Sequence, residues 1–432
     1  MATNPEPWLG ALSWWRKGAK RYWGSATVGF TIIVIIFIAD YRNSNTCSST
    51  SDLQSTGDLV PLTLLQRAQA TGAFCLDGSL PGYHFREGFG SGSANWLLHL
   101  EGGGWCNSIK TCNARKGTAL GSSKYMGRAV QFDGILSRHP SQNPDFYNWN
   151  RVKIRYCDGA SFAGHPESEF KNGTELFFRG QLIWEAIMKE LLSLGMSKAK
   201  QALLSGCSAG GLATFIHCDD FRDHLPKDAT VKCLSDAGFF LDEPDILGNR
   251  TMLAFYQDVV KLQGVAKSLH ENCVGIMEPF KCIFPQEIIK NVRTPFFIVN
   301  PAYDSWQIQN ILVPVASDPQ GYWSSCRLSI QKCDSTQIKR LQGFRDSMLE
   351  ALSMFQENKE GGMFINSCFA HCQTVMDEIW HSPNSPRINN KSIAESVGDW
   401  YFNREVSKQI DCPYPCNPTC YNMELNQQHL PY

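Results

Sequence analysis

A serine in Gly206-Cys207-Ser208-Ala209-Gly210, an aspartate in Asn-Pro-Ala-Tyr-Asp304-Ser-Trp and a histidine in Asn-Ser-Cys-Phe-Ala-His371-Cys follow one another along the chain. Acyl transfer needs a nucleophile, a base to take its proton and an acid to orient the base, and α/β-hydrolases supply them in that chain order. Glycine and serine are common enough that one G-x-S-x-G match carries little weight alone. Its setting adds weight. Ala202-Leu-Leu204 reads as a short strand entering the motif, and Leu212, Phe215 and Ile216 resume helical spacing after it. The glycines permit the close strand-to-helix turn that pushes a serine hydroxyl into the open, where a Cβ would clash. The plain alternative is a small-residue connection with no chemistry.

Asp304 lies just past the apolar run Phe296-Phe-Ile-Val299, where a loop at the carboxyl edge of a sheet can aim it at the serine. Asp236, in Leu-Ser-Asp-Ala-Gly-Phe-Phe, also follows a possible strand and is the second candidate, with a helix cap or a loop tie as its ordinary roles. Downstream of Asp304 only His371, His381 and His429 remain. His371 follows the Met363-Phe-Ile365 run, whereas His381 and His429 sit in Ser/Asn/Pro-rich or terminal polar sequence, where a solvated imidazole is the default. Cys368 and Cys372 flank His371 and can pin its loop. The developing oxyanion needs two amide donors. The amide of Ala209, after the serine, is one, and Gly102-Gly-Gly104-Trp105, behind an upstream apolar run, offers Gly104 and Trp105 as the other. No Lys-Ser/Thr follows these glycines, so they are not a P-loop.

These residues need a rigid sheet to present them. Trp96-Leu-Leu-His-Leu100 reads as a strand buried on both faces and ends in the glycine loop. Ile183, Ile187, Leu191 and Leu194 recur at helical spacing before Gly195, and Ile338, Leu341, Met348, Leu352 and Phe355 mark a long amphipathic helix. Helices alternating with apolar strands predict an α/β fold, a mostly parallel sheet flanked by helices with loop insertions and disulfides.

The chain is 43% hydrophobic and 19% charged, which suits a globule with a substantial core. Forty basic residues against 41 acidic ones leave no global field to steer it to nucleic acid. Seventeen cysteines point to an oxidising compartment, with Cys106 and Cys112, Cys273 and Cys282, and Cys326 and Cys333 as short-loop pairs. The odd count leaves a thiol over, for which Cys47 is a candidate. The spacings Cys368-x-x-His371-Cys372 and Cys412-x3-Cys416-x3-Cys420 also suit zinc, but secretion favours oxidised pairs, and no metal or other cofactor is expected. Sequons at Asn172, Asn249 and Asn390 agree with a lumenal location. From Trp23 to Ala39 no residue is charged, and Arg16, Lys17, Lys20 and Arg21 precede the run. Its 17 residues sit at the short limit for spanning a bilayer. The charge order predicts a cytosolic tail (1–22), an uncleaved membrane anchor (23–39), a Ser/Thr/Asn-rich stem (40–58) and a lumenal catalytic domain (59–432). A cleavable signal peptide is the competing reading, weakened because Phe37 stands where a small residue is needed before a cut at Ala39.

Leu-Glu-Gly-Gly-Gly-Trp-Cys106, Gly-Cys-Ser-Ala-Gly-Gly211, Ser-Asp-Ala-Gly-Phe-Phe-Leu241, Asn-Pro-Ala-Tyr-Asp-Ser-Trp306 and Cys-Phe-Ala-His-Cys372 together resemble the plant pectin acetylesterase family, a distant relation of Notum-type carboxylesterases. The resemblance covers about Leu59 to Tyr421. It implies hydrolysis of acetyl esters on the galacturonan of pectin, with Ser208 as nucleophile, His371 as general base and acid, Asp304 orienting His371, and Gly104, Trp105 and Ala209 at the oxyanion. Such enzymes commonly carry a cleavable leader, so an anchor would be a departure that bears on wall against Golgi residence. A Notum-like deacylase of longer acyl chains and a catalytically silent lumenal binding protein are the alternative readings.

Overall fold

The structure, a computed structural model, describes residues 59–165 and 175–425 of the protein. The expected tail, anchor and stem lie outside the described residues. Among the described residues no helix is long and apolar enough to cross a membrane.

Among the described residues ten strands form one sheet: β1 (Leu59–Leu64), β2 (Gly82–Arg86), β3 (Asn95–Leu100), β4 (Ala129–Gln131), β5 (Asn150–Ile154), β6 (Gln201–Cys207), β7 (Thr230–Asp236), β8 (Phe296–Val299), β9 (Gly362–Ile365) and β10 (Lys408–Ile410). Their order is β10-β9-β8-β7-β6-β3-β5-β2-β1-β4. Every pair from β5 to β10 is parallel, and β2, β1 and β4 close the other edge with antiparallel pairing. β6 lies in the interior between β3 and β7, in register from Gln201 opposite Thr230 to Cys207 opposite Asp236.

Alternation of side chains sends each strand's residues into two different cores. Trp96, Leu98, Leu100, Ala202, Leu204, Phe296 and Ile298 pack into one; Leu97, Leu203, Phe297 and Val299 pack into the other. Helices Gly180–Ser193 and Ala209–Asp223 cover the first face through Ile183, Trp184, Ile187, Leu212 and Phe215. Helix Ile393–Tyr401 covers the second through Ile393, Val397 and Tyr401. A strand buried on both sides has no polar alternation, which is why these segments read as continuous apolar runs. Each fully buried Leu or Phe contributes roughly 1.5–3 kcal/mol of transfer free energy.

Three element boundaries differ from the sequence reading. β6 runs three residues past Leu204, because Ser205, Gly206 and Cys207 continue the ladder with Leu234, Ser235 and Asp236. The long helix, capped by Asp334 and Gln337, stops at Ala351, and Phe355 lies on a separate turn, Ser353–Gln356. The helix expected from Ile183 starts at Gly180, a position where a Cβ would meet Asp158 Oδ2 at 2.4 Å.

Eight disulfides are formed among the described residues. Cys106–Cys112, Cys273–Cys282 and Cys326–Cys333 are the expected short loops. Cys75–Cys157, Cys207–Cys372, Cys218–Cys233, Cys368–Cys420 and Cys412–Cys416 are the others. The spacings that suit zinc are thus taken up by sulfur–sulfur bonds, and Cys47, the candidate for the odd thiol, lies outside the described residues. Asn249 and Asn390 are exposed, and Asn172 lies outside the described residues.

Candidate active site

β6 ends at Cys207 and helix Ala209–Asp223 begins two residues later, so Ser208 makes the whole turn. Its backbone sits at φ 57°, ψ −125°, a conformation that costs a residue with a Cβ on the order of 1–3 kcal/mol. Two constraints hold it there. The Ser208 amide donates to the Asp236 carbonyl at 2.9 Å, and the flanking glycines let backbone approach backbone. A Cβ on Gly206 would stand 2.2 Å from the Gly210 oxygen, and one on Gly210 would stand 2.1 Å from the Leu100 oxygen. The motif glycines are therefore required by contact.

β3 delivers the glycine loop to the same point. A Cβ on Gly102 would stand 2.8 Å from Ser208 Cβ and 2.4 Å from the Cys207 oxygen. Gly103 and Gly104 are left-handed, with φ 145° and 64°. The Tyr156 hydroxyl donates to the Gly104 carbonyl at 2.8 Å and accepts the Ser161 amide at 2.9 Å. The Ser161 hydroxyl in turn donates to the Ala209 carbonyl at 2.8 Å and accepts from Trp105 Nε1 at 2.7 Å. Gly104, Trp105 and Ala209, the three residues expected at an oxyanion, are thereby joined through two side chains that sequence reasoning missed. Tyr156 and Ser161 belong to Arg-Tyr-Cys-Asp-Gly-Ala-Ser161, a polar and small-residue run directly after β5, and that position at the carboxyl edge was the available signal.

Asp304 caps a short turn after β8: its Oδ1 accepts the Gln307 amide at 2.9 Å. The same carboxylate, fully buried, takes His371 Nδ1 at 2.9 Å through Oδ2 and 3.1 Å through Oδ1. Burial alone would lower the imidazole's pKa, but the charge and hydrogen bond of Asp304, joined by the charge of Asp236, outweigh it and the net direction is upward. His371 keeps a side chain 15% exposed. With Nδ1–H directed at a carboxylate, the neutral ring carries its basic lone pair on Nε2. Trp306 stacks on the imidazole at 6.3 Å and meets Trp105 edge-on at 5.7 Å, so aromatic rings run from the histidine to the glycine loop.

Asp236, the second acid candidate, is placed differently. Its Oδ2 accepts both the amide and the hydroxyl of Thr374, at 2.6 and 2.8 Å, and burial pushes it up to about 6. It ties the histidine's loop and does not cap the histidine. His381 pairs with Ser392 Oγ at 3.0 Å beside the cap of helix Ile393–Tyr401, a structural position, and His429 lies outside the described residues. Cys207 and Cys372, the neighbours of Ser208 and His371, are bonded to each other with Cα atoms 5.4 Å apart. The structure thus brings Ser208, Asp304, His371 and the glycine loop to one edge of the sheet, an arrangement suited to acyl transfer through a serine.

The Pectinacetylesterase family matches residues 53–421. Pectin acetylesterase 5 of Arabidopsis thaliana is 63% identical over 415 residues, covering 95% of this chain and 97% of its own. Pectin acetylesterase 4 of the same plant is 62% identical over 405 residues, covering 94% and 98%. The human palmitoleoyl-protein carboxylesterase NOTUM is 28% identical over 379 residues, covering 81% and 71%. Among solved structures, the Wnt deacylase Notum from Drosophila has the same fold, with a TM-score of 0.69 at 23% identity over 84% of this chain and 100% of its own.

Proposed function

The chain belongs to the pectinacetylesterase family, and on that premise we propose that it is a carboxylic ester hydrolase that removes acetyl groups from pectin through Ser208, His371 and Asp304. The observation that carries the residue assignment is the buried Asp304 carboxylate on His371 Nδ1, 2.9 Å away, in the loop whose next residue is bonded to the residue before Ser208.

In this reading His371 Nε2 takes the Ser208 proton as the hydroxyl oxygen attacks the acetyl carbonyl. The Ala209 amide and an amide from Gly104 or Trp105 hold the negative oxygen, helped by the positive end of helix Ala209–Asp223. His371 then gives the proton to the departing sugar hydroxyl, leaving an acetyl-enzyme, and water repeats the sequence to release acetate. Asp304 stabilises the imidazolium that forms in both halves.

Seventeen cysteines, with eight bridges among the described residues, suit a secretory-pathway protein whose catalytic domain faces the cell wall or the Golgi lumen. Residues 23–39 are assigned as an uncleaved anchor behind the cytosolic tail 1–22, with 40–58 as stem, and Asn172, Asn249 and Asn390 as glycan carriers. The deciding experiment is acetate release from acetylated pectin by the purified domain, run beside synthetic esters of increasing acyl length. Fast release of acetate that is lost in Ser208→Ala supports the proposal. Preference for long acyl chains would move the chain to the Notum-like reading, and no labelling of Ser208 by a fluorophosphonate would mark a silent scaffold.

A further inference from the structure

The histidine and the nucleophile come from strands that are not neighbours. In the order β9-β8-β7-β6, three inter-strand steps, roughly 14 Å in all, separate the end of β9 from the end of β6. The loop after β9 must travel back across the carboxyl ends of β8 and β7 to bring His371 to Ser208, and it is fastened at each strand it crosses. At β8 the Ser305 amide donates to the Ala370 carbonyl at 3.0 Å, and Asp304 takes His371 Nδ1. At β7 the terminal residue Asp236 takes the amide and hydroxyl of Thr374. At β6 the terminal residue Cys207 is bonded to Cys372. Cys368–Cys420, behind these, fixes only the root of the loop against the C-terminal segment.

The last two fastenings hold residues that closely follow His371 in the chain, Cys372 and Thr374. Cys372 is left-handed at φ 60°, a conformation that persists in a residue with a Cβ only where its surroundings impose it. A hydrogen bond to Asp304 fixes where Nδ1 points, but it leaves the ring free to swing with its loop about that carboxylate. We propose that the Cys207–Cys372 disulfide and the Asp236–Thr374 pair are the positioning elements that set His371 against Ser208, and that turnover depends on both. This rests on the triad reading above. Because a displacement of about 1 Å at a reacting group can cost 10²-fold in rate, losing the covalent fastening should cost more than losing one hydroxyl of the other.

The test compares kcat and KM for acetyl ester hydrolysis, with thermal unfolding measured on every variant. Cys207→Ser, Cys372→Ser and the double variant should each lose about 10²-fold in kcat with KM within twofold, the double being no worse than either single. Thr374→Val should lose about tenfold in kcat with KM unchanged, while Thr374→Ser, which keeps the hydroxyl, should stay near wild type. The Cys326→Ser/Cys333→Ser pair, a bridge in the loop before helix Ser335–Ala351, should leave kcat unchanged. A folded Cys207→Ser/Cys372→Ser variant with wild-type kcat would overturn the role of the disulfide. So would its failure to fold, which would assign the bond to stability alone. A Thr374→Val variant with wild-type kcat would overturn the second fastening. If Ser208→Ala itself stays active, the triad reading is what has failed.

Discussion

Asp304→Asn separates orientation from charge at the histidine. Asparagine keeps the buried volume and an oxygen for the Gln307 amide, so the turn after β8 survives. The charge that faces the imidazolium is lost. Two unit charges 2.9 Å apart interact by about 5.7 kcal/mol at an effective dielectric near 20, which is about four decades of rate. The amide adds a second fault: its NH2 directed at Nδ1 selects the tautomer with the proton on Nε2, which cannot act as base. kcat should therefore fall on the order of 10⁴ with little change in KM or unfolding temperature. The pH profile gives an independent check. His371 works only when neutral, and its folded-state pKa is raised by Asp304 and Asp236. In the parent enzyme the acid limb of kcat/KM should thus lie above the ordinary histidine value, and removing the Asp304 charge should move it to lower pH. The parent-to-variant ratio will then be largest on the neutral plateau and narrow as the pH falls. The assay is acetate release from pectin and from a chromogenic acetyl ester across the acid and neutral range. Near-wild-type turnover with an unmoved limb in Asp304→Asn, beside a folded but inactive Asp236→Asn, would refute the assignment of the acid.

Ser208→Ala and His371→Ala should each reduce kcat by roughly 10⁴–10⁶, with the double variant hardly worse, since the groups act as a unit; single-turnover kinetics checks this. Non-reducing peptide maps should show the eight bridges and leave Cys47 alone in the alkylated fraction or linked to another chain. Sequencing of the mature N-terminus should find the segment before Asp40 still attached; a start near Asp40 would replace the proposed anchor with a cleaved leader.

The parts of the site that were legible in the sequence are those defined by local chemistry. A G-x-S-x-G run between an apolar strand and a helix has few alternative geometries, and the glycine contacts around Ser208 show why. Strand identity followed from continuous apolar runs, because β3, β6 and β8 are buried on both faces. Short-loop disulfides were readable because six to nine residues leave the partners little room to part. The pairing of Cys207 with Cys372 was not, since 165 residues separate them and only the strand order brings their loops together. The same holds for Asp236. By sequence it is a carboxylate after a strand, like Asp304, and its service to Thr374 instead of His371 depends on which strand end the returning loop crosses first.

The distribution of backbone strain bears on how that edge of the sheet works. Ser161, Phe162, Ser208, Ala237 and Cys372 are all left-handed although each carries a Cβ, and all five lie in turns at the carboxyl ends of β5, β6 and β7 or in the loop returning from β9. At roughly 1–3 kcal/mol apiece, such conformations survive only where partners over-determine them. Here each has one: the Ser161 amide on the Tyr156 hydroxyl, the Phe162 amide on Asp158, the Ser208 amide on the Asp236 carbonyl, the Ala237 amide on the Val299 carbonyl, and the bridge at Cys372. Asp236 contributes twice, through its carbonyl to the nucleophile turn and through its carboxylate to the histidine loop. A substitution there that disturbs only the side chain should leave the Ser208 turn intact. Asp236→Asn is therefore expected to slow acetyl-enzyme formation and fluorophosphonate labelling together, since both need His371 as base, and by less than Asp304→Asn, which also removes the charge facing the imidazolium. Equal loss of both reactions in the two variants would show that the carboxylates act on His371 in the same way.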